Sequence, residues 1–195
     1  MGPGKYDIGR DVRSKAIARR LGSLTHLTAL ESDLLQQVGS GPVSLWAPQS
    51  TPDHPANDQP SQRYLISGWA ARVRELADGR RQLVQLVLPG DLLWPQLYVR
   101  DHLQTVRCLT IAHTVDGAAI SRAARDKVKF PGNAAATEMA AAQDRAFLAE
   151  QVIRMGLQTA FERMANTFME LHHRCGTIGL LHADGFAFPL TQESL

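Results

Sequence analysis

The spacing of hydrophobic and polar positions changes character along this chain, and the changes divide it into parts. Thr28-Ala-Leu-Glu31 reads as a capping box, in which the threonine oxygen accepts from the third helical amide and the glutamate reaches back to the cap. A short helix is expected from there to about Val38, stopped by Gly39 and Gly41, and residues 42–46 form a β-prone run. Residues 47–62 hold four prolines and almost no apolar side chain, so they read as an exposed loop. From Arg63 the period becomes two. One strand is expected over 64–76, with Trp69, Ala71, Val73 and Glu75 on one face, then a tight turn at Asp78-Gly79 and a second strand over 82–88. Pro89-Gly90-Asp91 makes the next turn, and short β-prone runs follow at 106–112 and 114–120. Several short strands joined by turns predict a sandwich or barrel, within an α+β chain.

Past Pro131-Gly132 the chemistry is that of a helix former, with Ala134, Ala135, Ala136, Ala140, Ala141 and Ala142 set among Glu, Gln and Arg. From about Met139 to Arg174 there is no proline and one glycine, Gly156, which marks either a close helix approach or a bend between a dimerising half and a packing half. A single helix of roughly 36 residues would be about 54 Å long. Its apolar positions form two stripes: Leu148, Val152 and Met155, and Ile153, Leu157, Phe161, Met164, Phe168 and Leu171. One stripe can cover the chain's own β domain. The other needs a second surface, for which the symmetric solution is the same helix from a second copy; the alternative is a helix covered on both sides within one subunit. The seam of such a homodimer is expected at Leu148, Val152, Met155 and Thr159.

Composition narrows the function classes. The 195 residues have a net charge of +2 and two cysteines, Cys108 and Cys175, which excludes a disulfide scaffold and a four-cysteine cluster. The first twenty residues carry Lys5, Arg10, Arg13, Lys15, Arg19 and Arg20 against Asp7 and Asp11, a mildly basic arm expected to be solvated, the alternative being contact with nucleic acid. No apolar run reaches the length of a membrane span and no secretory signal is present, so the expected compartment is the cytoplasm, with no membrane contact. Neither His172, His173, Cys175 and His182 nor His102, Cys108 and His113 have a recognised ligand spacing, and no metal is expected. No nucleophile elbow, phosphate loop or zinc-protease motif occurs, so an enzyme is not expected.

Near the C-terminus, glycines follow Arg174, His182-Ala-Asp-Gly185 makes a turn, and Thr191, Gln192 and Glu193 suit the cap and first turn of a helix that the sequence does not continue. Three segments together resemble the Crp/Fnr superfamily of dimeric bacterial transcription regulators: 160–171 with 185–195, Leu88-Pro-Gly-Asp-Leu92 after a hairpin, and 27–34. The resemblance covers essentially the whole chain. It implies a double-stranded β-helix, or β-roll, of the cyclic nucleotide-binding type, then a long dimerisation helix, then a winged helix-turn-helix that reads DNA. On this reading residues 1–25 are an N-terminal arm, 26–132 the sensor roll, 133–175 the dimerisation helix, and 176–195 a hinge with the start of the DNA-binding domain, opened by Thr191 and Gln192. The chain reads as a piece of a longer regulator, and DNA binding is expected of the full-length protein only. A stand-alone small-molecule-binding β-barrel without a DNA role is the rival.

The resemblance also bears on the ligand. Cyclic-nucleotide binders of the family carry a Gly-Glu pair shortly after the Gly-Asp turn and later an Arg-Ser or Arg-Thr pair. Here Trp94 and Pro95 stand in place of the first pair, and 100–108 lacks the second. Neither a cyclic nucleotide nor an iron-sulfur cluster is therefore expected. An unidentified small-molecule effector would meet Trp94, Gln96, Arg100 and Arg107.

Overall fold

The computed structural model describes residues 10–52, 62–94 and 105–189. The first helix, α1 (Arg10–Gly22), lies where a solvated arm was expected. Its Ala16, Ile17 and Leu21 recur at helical spacing and are buried, so this face packs inward and only the opposite face is wet. The second helix, α2 (Ala29–Gly39), has the expected capping box, with Thr28 accepting from the Glu31 amide and Glu31 receiving the Thr28 amide at 2.8 Å. Glu31 is itself buried, and its other oxygen accepts from the Asn133 amide at 2.8 Å, which joins the cap to the start of a later helix.

The strands are β1 (Val43–Trp46), β2 (Arg63–Ser67), β3 (Ala70–Glu75), β4 (Arg81–Val87), β5 (Thr105–Cys108) and β6 (Ala112–Asp116). They make two three-stranded antiparallel sheets, β1-β6-β2 and β4-β3-β5. The single strand expected over 64–76 is thus two strands in different sheets. Gly68 divides them: its φ is +87°, and a Cβ there would lie 2.2 Å from the Ile111 carbonyl oxygen. Only glycine tolerates both conditions, so the chain changes sheet at that residue. The β-prone run at 114–120 is also corrected. It ends at Asp116, and α3 (Ala118–Arg125) begins in its place, burying Ile120 and Ala123 at a spacing of three.

Alternation along β2 and β3 sorts the core into layers. Tyr64 and Ile66 pack outward against Ile17, Leu21, Leu35, Ile120 and Ala136 of the helices. Leu65 points the other way, into an interior shared with Ala70, Val87, Leu93, Trp94, Val106, Cys108 and Ala112 from both sheets. On the far side of the second sheet, Trp69, Ala71, Val73, Leu86 and Leu88 form a third apolar face.

That third face explains the largest departure from expectation. The long helix is broken into α4 (Pro131–Leu157) and α5 (Ala160–Ile178). Gln158 is extended, and Thr159 caps α5 through a second capping box with Glu162. The box satisfies amides that a helix start would otherwise leave unpaired. Arg163 donates to the Gln158 carbonyl at 3.0 Å and Asn166 to its side chain at 2.9 Å, holding the corner. The chain then doubles back: Arg154 pairs with Glu170 at 3.6 Å, and Arg174 lies 5.7 Å over the Phe147 ring. Folding back buries Leu171, Cys175 and Ile178 on the third face, at about 1.5–3 kcal/mol for each fully buried large apolar side chain, more than one broken helical turn costs.

Candidate functional site

Two polar clusters meet where α1, α4 and α5 converge on the edge of the second sheet. The first is centred on Asp91, the acid of the Pro89-Gly90-Asp91 turn. Gly90 has φ +95° and lies against α1 so closely that a Cβ would sit 2.5 Å from the Arg20 Cβ. This contact brings Asp91 to the helices. Arg20 of α1 donates to one carboxylate oxygen at 2.9 Å; Arg174 of α5 donates to the other at 2.6 Å, and the Leu88 amide to the same oxygen at 2.9 Å. Burial alone would raise the Asp91 carboxyl, but the guanidiniums of Arg174 and Arg20 and the Leu88 amide hold it down at about 2. Arg174 further donates to the Leu86 carbonyl at 3.0 Å and to Glu170 at 3.3 Å, and Arg19 reaches the Ile178 carbonyl at 3.4 Å. One carboxylate therefore ties three segments together that are distant in sequence.

The second cluster lies at the α4 side of the interior. Arg72 of β3 is 4% exposed. It donates to the Leu93 carbonyl at 3.0 Å, the Leu92 carbonyl at 2.6 Å, the Gln85 side-chain oxygen, and Asp144 of α4 at 3.1 Å. Gln85 returns a bond to the other Asp144 oxygen at 3.0 Å. Between the clusters runs a cleft of about 570 Å³, with Leu24, Leu88 and Phe147 among its apolar lining and Gln85, Asp91, Asp144 and Arg174 among its polar lining.

Both cysteines are free and buried. Burial raises both thiols, Cys175 to about 11 against the opposing pull of Arg174, so neither is a thiolate near neutral pH. Among the described residues no group of three His, Cys, Asp or Glu could hold a metal ion, and no helix is long and apolar enough to cross a membrane.

No family model matches the sequence, and no curated protein matches it. Solved structures do. FixK2 from Bradyrhizobium japonicum is similar at 20% identity over 78% of this chain and 74% of that one, with a TM-score of 0.59. A cyclic nucleotide-binding domain from Methylobacillus flagellatus is similar at 8% identity over 78% of this chain and 89% of that one, TM-score 0.56. TTHA1359, a CRP/FNR-family transcriptional regulator from Thermus thermophilus, is similar at 13% identity over 67% of this chain and 65% of that one, TM-score 0.52. The chain has the fold of the Crp/Fnr regulators.

The residues singled out in the sequence are distributed over this Crp/Fnr fold as follows. Trp94 is buried in the interior between the sheets, beside Leu93. Arg107 lies on β5, half-buried, and donates to the Gln49 side chain at 3.2 Å. Gln96, Arg100, Thr191 and Gln192 lie outside the described residues. Leu148 is half-buried on α4, whereas Val152 and Met155, further along the same face, are 66% and 61% exposed in the single chain. Thr159 is not a continuation of that stripe within one helix. It is the cap of α5, with its hydroxyl engaged by Glu162 at 2.8 Å. The sequence reading missed Arg72, Gln85, Asp144 and Arg174. Asp91 was visible as a turn residue only, because its partners stand 71 and 83 positions away. Gly156, two residues before the break, and the capping box Thr159-Ala-Phe-Glu162 were the local signals that could have located it in the long helix.

Proposed function

We propose that this chain is the sensor and dimerisation region of a Crp/Fnr-type DNA-binding transcription regulator, built on a β-roll, whose two copies pair through the second half of α4. The observation that carries the reading is a conjunction. The chain shares the fold of FixK2 and TTHA1359, and α4 leaves Val152 and Met155 of the proposed seam 66% and 61% exposed in the single chain. Large apolar side chains side by side on one helix face are unfavourable in water, and a twin helix related by a two-fold axis would cover Val152 and Met155.

The output would be carried through α5 and the segment after it to a helix-turn-helix beginning at Thr191 and Gln192, and contact with DNA would be made by that domain. The roll would respond to an effector other than a cyclic nucleotide. Trp94, which stands where the family's cyclic-nucleotide binders have part of their Gly-Glu pair, packs against Leu93 and Val106 and offers no carboxylate to a ribose hydroxyl. As a working compartment we take the cytoplasm, where such a regulator meets DNA.

Replacing Val152 and Met155 with Asp tests the dimer. Both side chains are exposed in the single chain, so a folded monomer should result, with the sedimentation coefficient falling to that of one 21.4 kDa particle. An unchanged coefficient in a dimeric wild type would place the seam elsewhere.

A further inference from the structure

Arg72, Gln85 and Asp144 are not among the residues assigned to the dimer seam or to DNA contact, yet their cluster is a costly arrangement. A guanidinium removed from water needs nearly every N–H satisfied, and Arg72 makes four hydrogen bonds with its five N–H groups. It sits on the same face of β3 as Ala70, whose neighbours are the interior residues of both sheets, and directly across the strand pair from Gln85. Two of its bonds go to the carbonyls of Leu92 and Leu93, the backbone that leads into Trp94. The other two go to Gln85 and to Asp144, and Gln85 and Asp144 are bonded to each other. The three side chains form a closed ring that spans β3, β4 and α4.

The position of Asp144 on its helix gives the ring its consequence. Leu148, Val152 and Met155 follow it at intervals of four, four and three residues, so Asp144 heads the stripe assigned to the dimer seam. Holding Asp144 therefore sets the rotation and tilt with which α4 presents that stripe. We propose that Arg72 is a positioning residue for α4: an internal cation, paired with Asp144, that places the seam from within the protein without a bound small molecule. The proposal rests on the dimer reading for what α4 does, and on the ring alone for what holds α4.

The arrangement is fixed by geometry as well as charge. An arginine fork can meet two carbonyls and two side-chain oxygens at once, which a lysine cannot. Removing Asp144 would leave the guanidinium buried with its bonds to neutral oxygens only, and α4 would lose its charged tie to the second sheet.

The test uses the whole chain, dialysed free of small molecules, as wild type, Asp144→Asn, Asp144→Ala, Arg72→Met and the double variant Arg72→Met with Asp144→Ala. Sedimentation reports the dimer dissociation constant, and hydrogen exchange reports the protection of 145–157 against that of β2 and β6. Wild type should dimerise without additive. Asp144→Ala should weaken the dimer at least tenfold and speed exchange across 145–157, with β2 and β6 unchanged; Asp144→Asn, which keeps one acceptor oxygen, should fall between. In the Arg72→Met background the Asp144 change should add less than twofold, since the two act as one unit. A dimeric wild type whose constant and α4 exchange are untouched by Asp144→Ala overturns the proposal and leaves the dimer reading standing. So does a wild type that is monomeric alone and dimeric with cyclic AMP or cyclic GMP. A wild type monomeric under every condition overturns the dimer reading; the exchange of 145–157 then decides on the ring, with equal rates in wild type and Asp144→Ala counting against it. Should Asp144→Ala fail to fold, Asp144→Asn and Arg72→Met carry the same comparison.

Discussion

Replacing Asp91 with asparagine preserves the shape of the Pro89-Gly90-Asp91 turn and one acceptor oxygen, but removes the charge that Arg20 and Arg174 share. In the folded chain the Asp91 carboxyl lies at about 2, against 3.8 ordinarily, and its side chain is 13% exposed, so solvent screens the interaction little. At about 1.36 kcal/mol per pH unit the difference corresponds to roughly 2–3 kcal/mol of stability at neutral pH. The sign follows from the direction. The folded carboxyl is the stronger acid, so its stabilisation is complete above the ordinary value and disappears as pH falls toward 2, with about half gone near pH 3. Urea unfolding of wild type and Asp91→Asn between pH 7 and pH 2.5 reads this directly. The variant should be less stable by that amount at pH 7, and the two curves should converge as the solution becomes acid. Because Arg174 lies on α5, exchange of the 171–178 amides should rise in the variant at pH 7 as well. A gap between the two proteins that stays constant from pH 7 to pH 2.5 would refute the argument, since a purely steric effect of asparagine has no reason to titrate.

Other expectations are simpler to check. Thr159→Ala removes the cap of α5 and should cost about 1 kcal/mol, concentrated in the exchange of its first turn, and Glu162→Ala should resemble it because the two side chains form one box. Gly68→Ala combines a φ of +87° with a Cβ 2.2 Å from a carbonyl oxygen, and should lose several kcal/mol in urea unfolding or prevent soluble expression; stability within about 0.5 kcal/mol of wild type would contradict the role given to Gly68 at the change of sheet. In calorimetry neither cyclic AMP nor cyclic GMP should bind at submicromolar concentration, and either doing so would overturn the reading of Trp94 as a replacement for a ribose contact.

Signals carried by neighbouring residues were legible in the sequence. The Thr28–Glu31 capping box, the Asp78-Gly79 hairpin turn, the Gly-Asp turn at 90–91 and the alternation of Trp69, Ala71 and Val73 each depend on residues within a few positions of one another, and each is present in the fold. The resemblance to Crp/Fnr regulators was legible for the same reason, being an order of short motifs. Periodicity failed where local propensity was ambiguous. Residues 139–174 read as one helix, but the chain folds as two because α5 can bury Leu171, Cys175 and Ile178 on a sheet face formed by residues between Trp69 and Leu88.

The charged residues show the same division more sharply. Arg19, Arg20, Arg72, Asp144 and Arg174 look in sequence like solvated positions on strands and helices, because a charge gives no periodic sign of being buried. Only the tertiary structure, by bringing α1, the turn at Asp91, β3, α4 and α5 to one place, supplied the partners that offset the cost of burying those charges. Short-range chemistry therefore determined most of the elements and their family likeness, whereas ion pairs between residues 71 to 83 positions apart were decided by how those elements packed.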